Sequence, residues 1–455
     1  MPKPSGPIYA CAKCDAQTSK WTGRCLECGA WGSLKEAESA ESAPERKHDF
    51  SKTKSGALTR FSADTAKCAP ATPTRCAPID LVLGGGLVAG SVTLIAGEPG
   101  IGKSTLLSQA AIAIAASGRR VMYVTGEESP AQIRRRLERL SDKIPDGLLF
   151  LDDTDAQVIA ATIANERPDL AIVDSIQSVR LSDVNGDAGS VTQVKACAAT
   201  ITEAAKKSHV PVVFVGQVTK DGDVAGPRVL EHLVDAVLYL EGDKDHRYRI
   251  LRALKHRFGS TDETALLTMS ERGMEPVEDP SSELLKDRAT NTAGSAIGCI
   301  IEGHRPMLIE LQALVSPAGY GTPIRRATGV DPQRLGMLLA VIAKRAGIYA
   351  LDKDVYANAA GGIDARDQSV DLAVAVAIAS AVKEKPIDPR TGIIGEIGLA
   401  GELRPISLPE LRLKEFARMG FQNVIVPKRQ GTHAPKGLHV IEAATLREAL
   451  DHLLF

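Results

Sequence analysis

Short apolar runs alternate with longer amphipathic ones through the middle of the chain, and this rhythm is its main architectural signal. VTLIA, VMYV, LLFL, LAIVD and VPVVFV are read as buried strands of a parallel sheet, because such strands are covered on both faces and need few polar positions. Between them, Lys103–Ala116 opens on a glycine loop, Pro130–Leu140 starts with proline in its first turn, and Ser190–Ser208 carries apolar residues at helical spacing. Three helices are predicted there. Repeated βα units predict an α/β domain from residue 59 onward. The pattern shifts where PVEDPSSELLKDRATN turns polar, which sets a boundary between residues 59–285 and residues 286–455. Beyond it, IGCII and MLIELQALV predict a strand pair, followed by apolar helices over Gln333–Arg345 and Ser369–Val382. GIIGEIGLAGEL and FQNVIVP complete an α+β pattern.

Residues 1–35 are dense in Cys, Gly and Trp, whereas residues 36–58 are mostly Ser, Ala and charge and are expected to form a flexible linker. The chain has 455 residues, long enough for about three domains. With 55 Lys plus Arg against 56 Asp plus Glu, its formal charge is −1, so any nucleic-acid contact must come from local basic loops. No apolar run approaches the roughly 18 residues that span a bilayer. MPKPSGPIYACAKC also lacks the apolar core of a signal peptide, so no membrane partner and a cytoplasmic location are expected. Four of the eight cysteines crowd into positions 11 to 28, which argues against a secreted disulfide framework.

Cys11-x-x-Cys14 and Cys25-x-x-Cys28 place two thiolate pairs on two knuckles, the arrangement that suits tetrahedral zinc. With four protein ligands the site is expected to be structural, since a segment this short cannot bury a sufficient core. Gly97-Glu98-Pro99-Gly100-Ile101-Gly102-Lys103-Ser104-Thr105 matches G-x-x-x-x-G-K-[ST] between a strand and a helix, the context of a P-loop. Its backbone N–H groups and helix N-terminus would cradle ATP phosphates, Lys103 would reach the β- and γ-phosphates, and Ser104 would help to hold Mg²⁺. Asp174, at the end of LAIVD, is the candidate second carboxylate of the metal shell. VMYVTGEES supplies Glu127 and Glu128 as candidate bases, with one of the two expected to cap the helix beginning near Pro130. RRRLER at 134–139 is read as a solvated helix face. Gln217, Lys220 and Arg228 lie on a polar loop after VPVVFV, and Lys255 and Arg257 follow a later strand.

The cysteine pairs, GEPGIGKST, VTGEES, AGPRVLEH, KHRFG and GEIGLAGELRP, in this order, resemble the bacterial RadA (Sms) recombination proteins over nearly the whole chain. The resemblance implies an α/β RecA-like P-loop ATPase core with an N-terminal C4 zinc finger and a C-terminal α+β domain similar to the proteolytic domain of Lon. It also implies a hexameric ring on single-stranded and branched DNA that drives branch migration alongside the RecA recombinase. The RecA-like pattern favours Glu127 as the base. It puts Gln217 where a polar residue senses the γ-phosphate, makes Lys220 and Arg228 DNA-loop residues, and lets Lys255 and Arg257 reach a neighbouring subunit's nucleotide, with Phe258 anchoring the turn at Gly259.

Two departures stand out. His256 replaces the usual Asn of the Lys-Asn-Arg-Phe-Gly segment. Ser369 falls where Lon places its nucleophile, but PISLPELRL offers Glu410 instead of a lysine base, so proteolysis is not expected. The leading expectation is a DNA-dependent ATPase of recombinational repair. The alternative is a nucleotide-switched regulatory ATPase without motor activity.

Overall fold

The computed structural model describes residues 9–12, 17–18, 20–25, 30–36, 71–217, 227–242, 248–319, 321–428, 430–431 and 433–454, apart from the side chains of 10, 17, 227 and 228. The expected linker beyond Glu36, together with Cys14, Cys28, Lys220 and the side chain of Arg228, lies outside the described residues. The chain forms two compact units, Met1–Cys68 and Ala69–Phe455.

In the first unit, β1 (Tyr9–Cys11), β2 (Gln17–Thr18) and β3 (Leu34–Glu36) form an antiparallel sheet in the order β2-β1-β3. Its described core is small: Cys11, Cys25 and Leu34, with Tyr9 packed against them. A backbone bond from Ala12 N to Ser33 O (2.8 Å) extends the β1–β3 pairing next to Cys11, and one from Cys25 N to Ala30 O (2.9 Å) closes the loop after Cys25. One cysteine from each C-x-x-C pair therefore reaches the same buried cluster.

The second unit begins with α1 (Ala77–Val82), β4 (Val92–Gly97), α2 (Lys103–Ala116), β5 (Val121–Thr125), α3 (Pro130–Leu140) and β6 (Leu148–Asp152). It continues through α4 (Ala156–Glu166), β7 (Leu170–Asp174), α5 (Val191–Ser208), β8 (Val212–Gln217) and α6 (Pro227–Leu230). Then come β9 (Ala236–Gly242), β10 (Tyr248–His256), β11 (Thr264–Ser270) and β12 (Gly273–Pro276). These strands make one nine-stranded sheet in the order β12-β11-β10-β9-β4-β8-β7-β5-β6. It is parallel from β9 to β6 and antiparallel beyond β9.

Apolar residues alternate across the sheet: Ile95 of β4 joins the layer under α1, α2 and α3, while Leu94 and Ala96 join the layer under α4 and α5. LLFL was expected to be buried, but β6 is an edge strand and Leu149 and Phe150 are exposed. Its two ends are still covered, Leu148 in the layer under α1, α2 and α3 and Leu151 against the layer under α4 and α5.

The C-terminal part consists of α7 (Pro280–Leu285), β13 (Ser295–Glu302), β14 (Arg305–Pro317), β15 (Arg325–Thr328), α8 (Pro332–Val341), β16 (Lys353–Ala359) and α9 (Asp371–Lys383). After these come β17 (Thr391–Ile393), β18 (Glu396–Ile397), β19 (Leu403–Arg404), α10 (Pro409–Arg418), β20 (Asn423–Pro427), β21 (His439–Ala443) and α11 (Leu446–Leu454). A seven-stranded sheet runs β15-β16-β14-β13-β17-β20-β21. The apolar helix α9 is buried from Asp371 to Ser380, and Phe416 and Leu413 of α10 belong to a second buried layer.

The two sheets share packing. Tyr248 and Leu266 of the first sheet belong to the C-terminal core, and Thr264 Oγ1 donates to Glu302 O (2.9 Å). Helix α7, on the ATPase side of the boundary at 285, packs with the C-terminal sheet instead. Its Ser281 Oγ accepts from Leu308 N at 3.0 Å and donates to the Glu415 carboxylate. Among the described residues no helix is long and apolar enough to cross a membrane.

Candidate active site

The loop Glu98–Gly102 lies at the carboxyl end of central strand β4, where strand order reverses and doubly wound sheets open a crevice. Gly97 has no room for a side chain, because a Cβ there would lie 2.3 Å from Leu240 O of the paired strand. Gly102 has a φ of 110°, a left-handed geometry that favours glycine. Pro99 and Gly100 form an exposed tip, Ile101 is buried, and Ser104 and Thr105 are half-buried in the first turn of α2.

Lys103 is buried and its Nζ donates to Gly97 O and Glu98 O, both at 2.9 Å. Burial pulls its pKa below the ordinary lysine range, against the opposing pull of the Asp174 and Glu127 carboxylates. Behind the loop, the buried Arg249 donates from Nε to Ile101 O (3.1 Å) and from Nη1 to Tyr248 O (2.9 Å). Sequence reading missed Arg249, and nothing in the pattern of β10 marks it.

Strands β5, β7 and β8 bring the polar groups together. Tyr123 Oη donates to Asp174 Oδ2 at 2.5 Å. Burial, then the Asp174 charge, raises the tyrosine pKa well above its ordinary value, so it stays a donor. Ser175 Oγ donates to Glu127 Oε1, and Gln217 Nε2 lies 3.4 Å from Glu127 Oε2. The neighbouring glutamate turns elsewhere: Glu128 Oε2 pairs with Arg136 Nη1 at 2.6 Å.

Neither glutamate caps α3. Ser129 does so, in a capping box with Gln132, because the box needs a short hydroxyl three residues before its glutamine. The solvated-face reading of RRRLER holds for Arg135 and Arg139, which are exposed. Arg136 differs: it turns inward, its side chain 13% exposed, with Nη2 3.3 Å from Tyr123 Oη and 4.0 Å from Asp174 Oδ2. Its position three residues after buried Ile133 was the available signal.

Lys255 and Arg257 lie at the other end of the sheet. Lys255 Nζ donates to Val234 O (2.9 Å) and Glu231 O, and Arg257 pairs with Asp235 at 3.0 Å. Asp235 Oδ2 in turn accepts from Val92 N, at the start of β4. The P-loop follows the end of β4, so the length of that strand, roughly 16 Å at about 3.3 Å per residue, separates these cations from it. Phe258, expected to anchor the turn, is 53% exposed. The anchor is His256, whose Nε2 lies 3.2 Å from Leu83 O and whose ring meets Phe258 edge-on.

The serine site of the C-terminal domain is closed. Ser369 is 2% exposed, its Oγ donates to Cys299 O (3.1 Å), and it accepts from Arg412 Nη1 (2.6 Å). Arg412 is itself fully buried and pairs with Asp367 at 2.7 Å. Glu410 is exposed. The residue at the serine is therefore Arg412, two positions further along the same PELRL segment, and a guanidinium cannot accept a proton.

A cavity of about 480 Å³ opens at the seam between the sheets. Glu241, Glu302, Asp364 and Asp367 line it together with Arg252 and Arg366, so both signs of charge face it and no single ligand chemistry is selected.

The glycine loop, the following lysine and carboxylates on neighbouring strand ends define the class: a RecA-like P-loop ATPase with an N-terminal zinc ribbon and a Lon-like C-terminal domain. Three family descriptions match parts of the chain: an AAA domain at residues 60–223, a rubredoxin metal binding domain at residues 9–36, and subunit ChlI of Mg-chelatase at residues 344–430. The DNA repair protein RadA of Bacillus subtilis is 42% identical over 449 residues, covering 97% of each chain. RadA of Listeria monocytogenes is 40% identical over 450 residues (98% of each), and RadA of Streptococcus pyogenes serotype M1 is 42% identical over 445 (97% of this chain, 98% of the relative). The chain belongs to the RadA family.

Proposed function

We propose that this chain is a DNA-dependent ATPase of recombinational repair, which encircles single-stranded DNA as a ring and drives branch migration alongside RecA. The carrying observation is the contact of Gln217 with Glu127: one side chain joins the candidate base to the end of β8, from which the Lys220 and Arg228 segment departs. In this reading Lys103 would meet the transferring phosphoryl group, Glu127 would orient the attacking water, and Ser104 and Asp174 would hold Mg²⁺. Mg²⁺, when bound, offsets phosphate charge. Tyr123 and Arg136 keep Asp174 in place, as outer-shell partners do.

The distance of Lys255 and Arg257 from their own P-loop supports action on a neighbour's nucleotide, where they would stabilise charge developing on the γ-phosphate. Lys220 and Arg228 would grip the DNA backbone by charge. We also assign residues 1–35 to a zinc finger held by Cys11, Cys14, Cys25 and Cys28, residues 36–58 to a linker, residues 59–285 to the ATPase, with α7 at their end packed on the C-terminal sheet, and residues 286–455 to a non-proteolytic assembly domain. The test is ATP hydrolysis with and without single-stranded DNA, run beside a strand-exchange assay. Stimulation with faster branch migration supports the motor. Hydrolysis indifferent to DNA supports the regulatory switch instead.

A further inference from the structure

Among its described residues the first unit buries little, yet it leaves both of its tryptophans outside. Its described core holds only Cys11, Cys25 and Leu34, with Tyr9 at the margin. The whole chain contains two tryptophans, Trp21 and Trp31, and both are here. They are 61% and 78% exposed. Large exposed aromatic rings on a small unit mark a binding surface, since folding alone would bury them.

Each tryptophan has a cationic residue as a neighbour, one along the chain and one across a bridge. Lys20 precedes Trp21 and is exposed. Arg24, also exposed, is the bridge partner of Trp31, whose ring lies over Gly23 with carbons 3.7 and 3.8 Å from where a Cβ would stand. Exposed aromatic faces with adjacent cations are what unpaired bases and their phosphates select: stacking is tolerant of sequence, and the cations track the backbone.

We propose that Trp21 and Trp31, with Lys20 and Arg24, form a stacking site for the unpaired bases of single-stranded nucleic acid. This inference rests on the DNA-binding reading above and adds a nucleic-acid contact made by the first unit. It places the zinc ribbon on the strand, where it can hold one or two bases.

The test uses the full-length, zinc-loaded protein and an oligothymidylate. All tryptophan emission comes from Trp21 and Trp31, so the natural fluorescence reads this unit directly. Saturating quenching by the oligonucleotide is expected, weakened by salt. Trp31→Ala should lower affinity for the labelled oligonucleotide, read by anisotropy, roughly fivefold or more, and Trp31→Phe should recover part of the loss. Zinc content equal to wild type certifies that each variant is folded, and the wild-type quenching is decisive even if Trp31→Ala is not. Anisotropy that reports binding while emission stays constant overturns the stacking site and leaves the DNA reading standing. No binding by either readout overturns both. Emission that responds only to an added protein makes this a protein-docking face and also overturns it.

Discussion

The chain carries two buried constellations that resemble catalytic sites, one around Lys103 and one around Ser369, and their hydrogen bonds differ in kind. Lys103 is held by two backbone carbonyls, contacts that incoming phosphates can replace, and the Glu127 carboxylate is bound by Ser175 and Gln217 from adjacent strands. Ser369 instead commits its proton to Cys299 O and accepts from a guanidinium that is pinned by Asp367 and Ser407 O. A nucleophilic serine needs a neighbour able to take its proton, and Arg412 cannot. A residue type in the expected place thus says little until the protonation capacity of its partners is known.

The largest effects should fall on the first site alone. Lys103→Ala should abolish ATP hydrolysis while leaving the fold intact, whereas Ser369→Ala should leave hydrolysis, DNA binding and branch migration unchanged. Steady-state assays on both variants check this, and loss of any activity in folded Ser369→Ala would break the contrast. Next, Glu127→Gln should slow hydrolysis by roughly 10²- to 10⁴-fold with nucleotide binding retained, as for loss of a positioned base. Glu128→Gln should slow it far less; the reverse order, measured under saturating ATP, would exchange their roles.

Arg136→Gln tests the outer layer of the same site. It should reduce turnover or apparent Mg²⁺ affinity by about 10- to 100-fold, the usual range for outer-shell partners, with partial recovery in Arg136→Lys. The smallest effect belongs to the seam, where Asp279 caps α7 and pairs with Arg418 at 2.7 Å. The hydrogen bonds from Arg418 hold its carboxyl down at about 2. Because the folded value lies below the unfolded one, near 3.9, its stabilising contribution is present above about pH 4 and fades as pH falls towards 2. Thermal unfolding of wild type and Asp279→Asn should therefore differ most above pH 4 and converge in acid.

Much of this was legible in the sequence for local reasons. The P-loop, Asp174 and the strands around them follow from contiguous patterns, and α2 and α3 begin and end where their loop and proline place them. What was not legible depends on partners distant in the chain. Glu127 and Glu128 are adjacent, and only Ser175, Gln217 and Arg136, on three other elements, separate them. Arg412 reaches Ser369 across 43 positions, and Arg249 reaches Ile101 across 148. Such pairings arise from tertiary packing and leave no periodic trace.

Gln217 is the link on which the DNA-dependent reading turns, so Gln217→Ala is its most direct test. ATP hydrolysis is measured with increasing single-stranded DNA for wild type and variant. The account predicts that the variant keeps nucleotide binding and basal hydrolysis close to wild type but loses most of the DNA stimulation. Full stimulation in folded Gln217→Ala would contradict it.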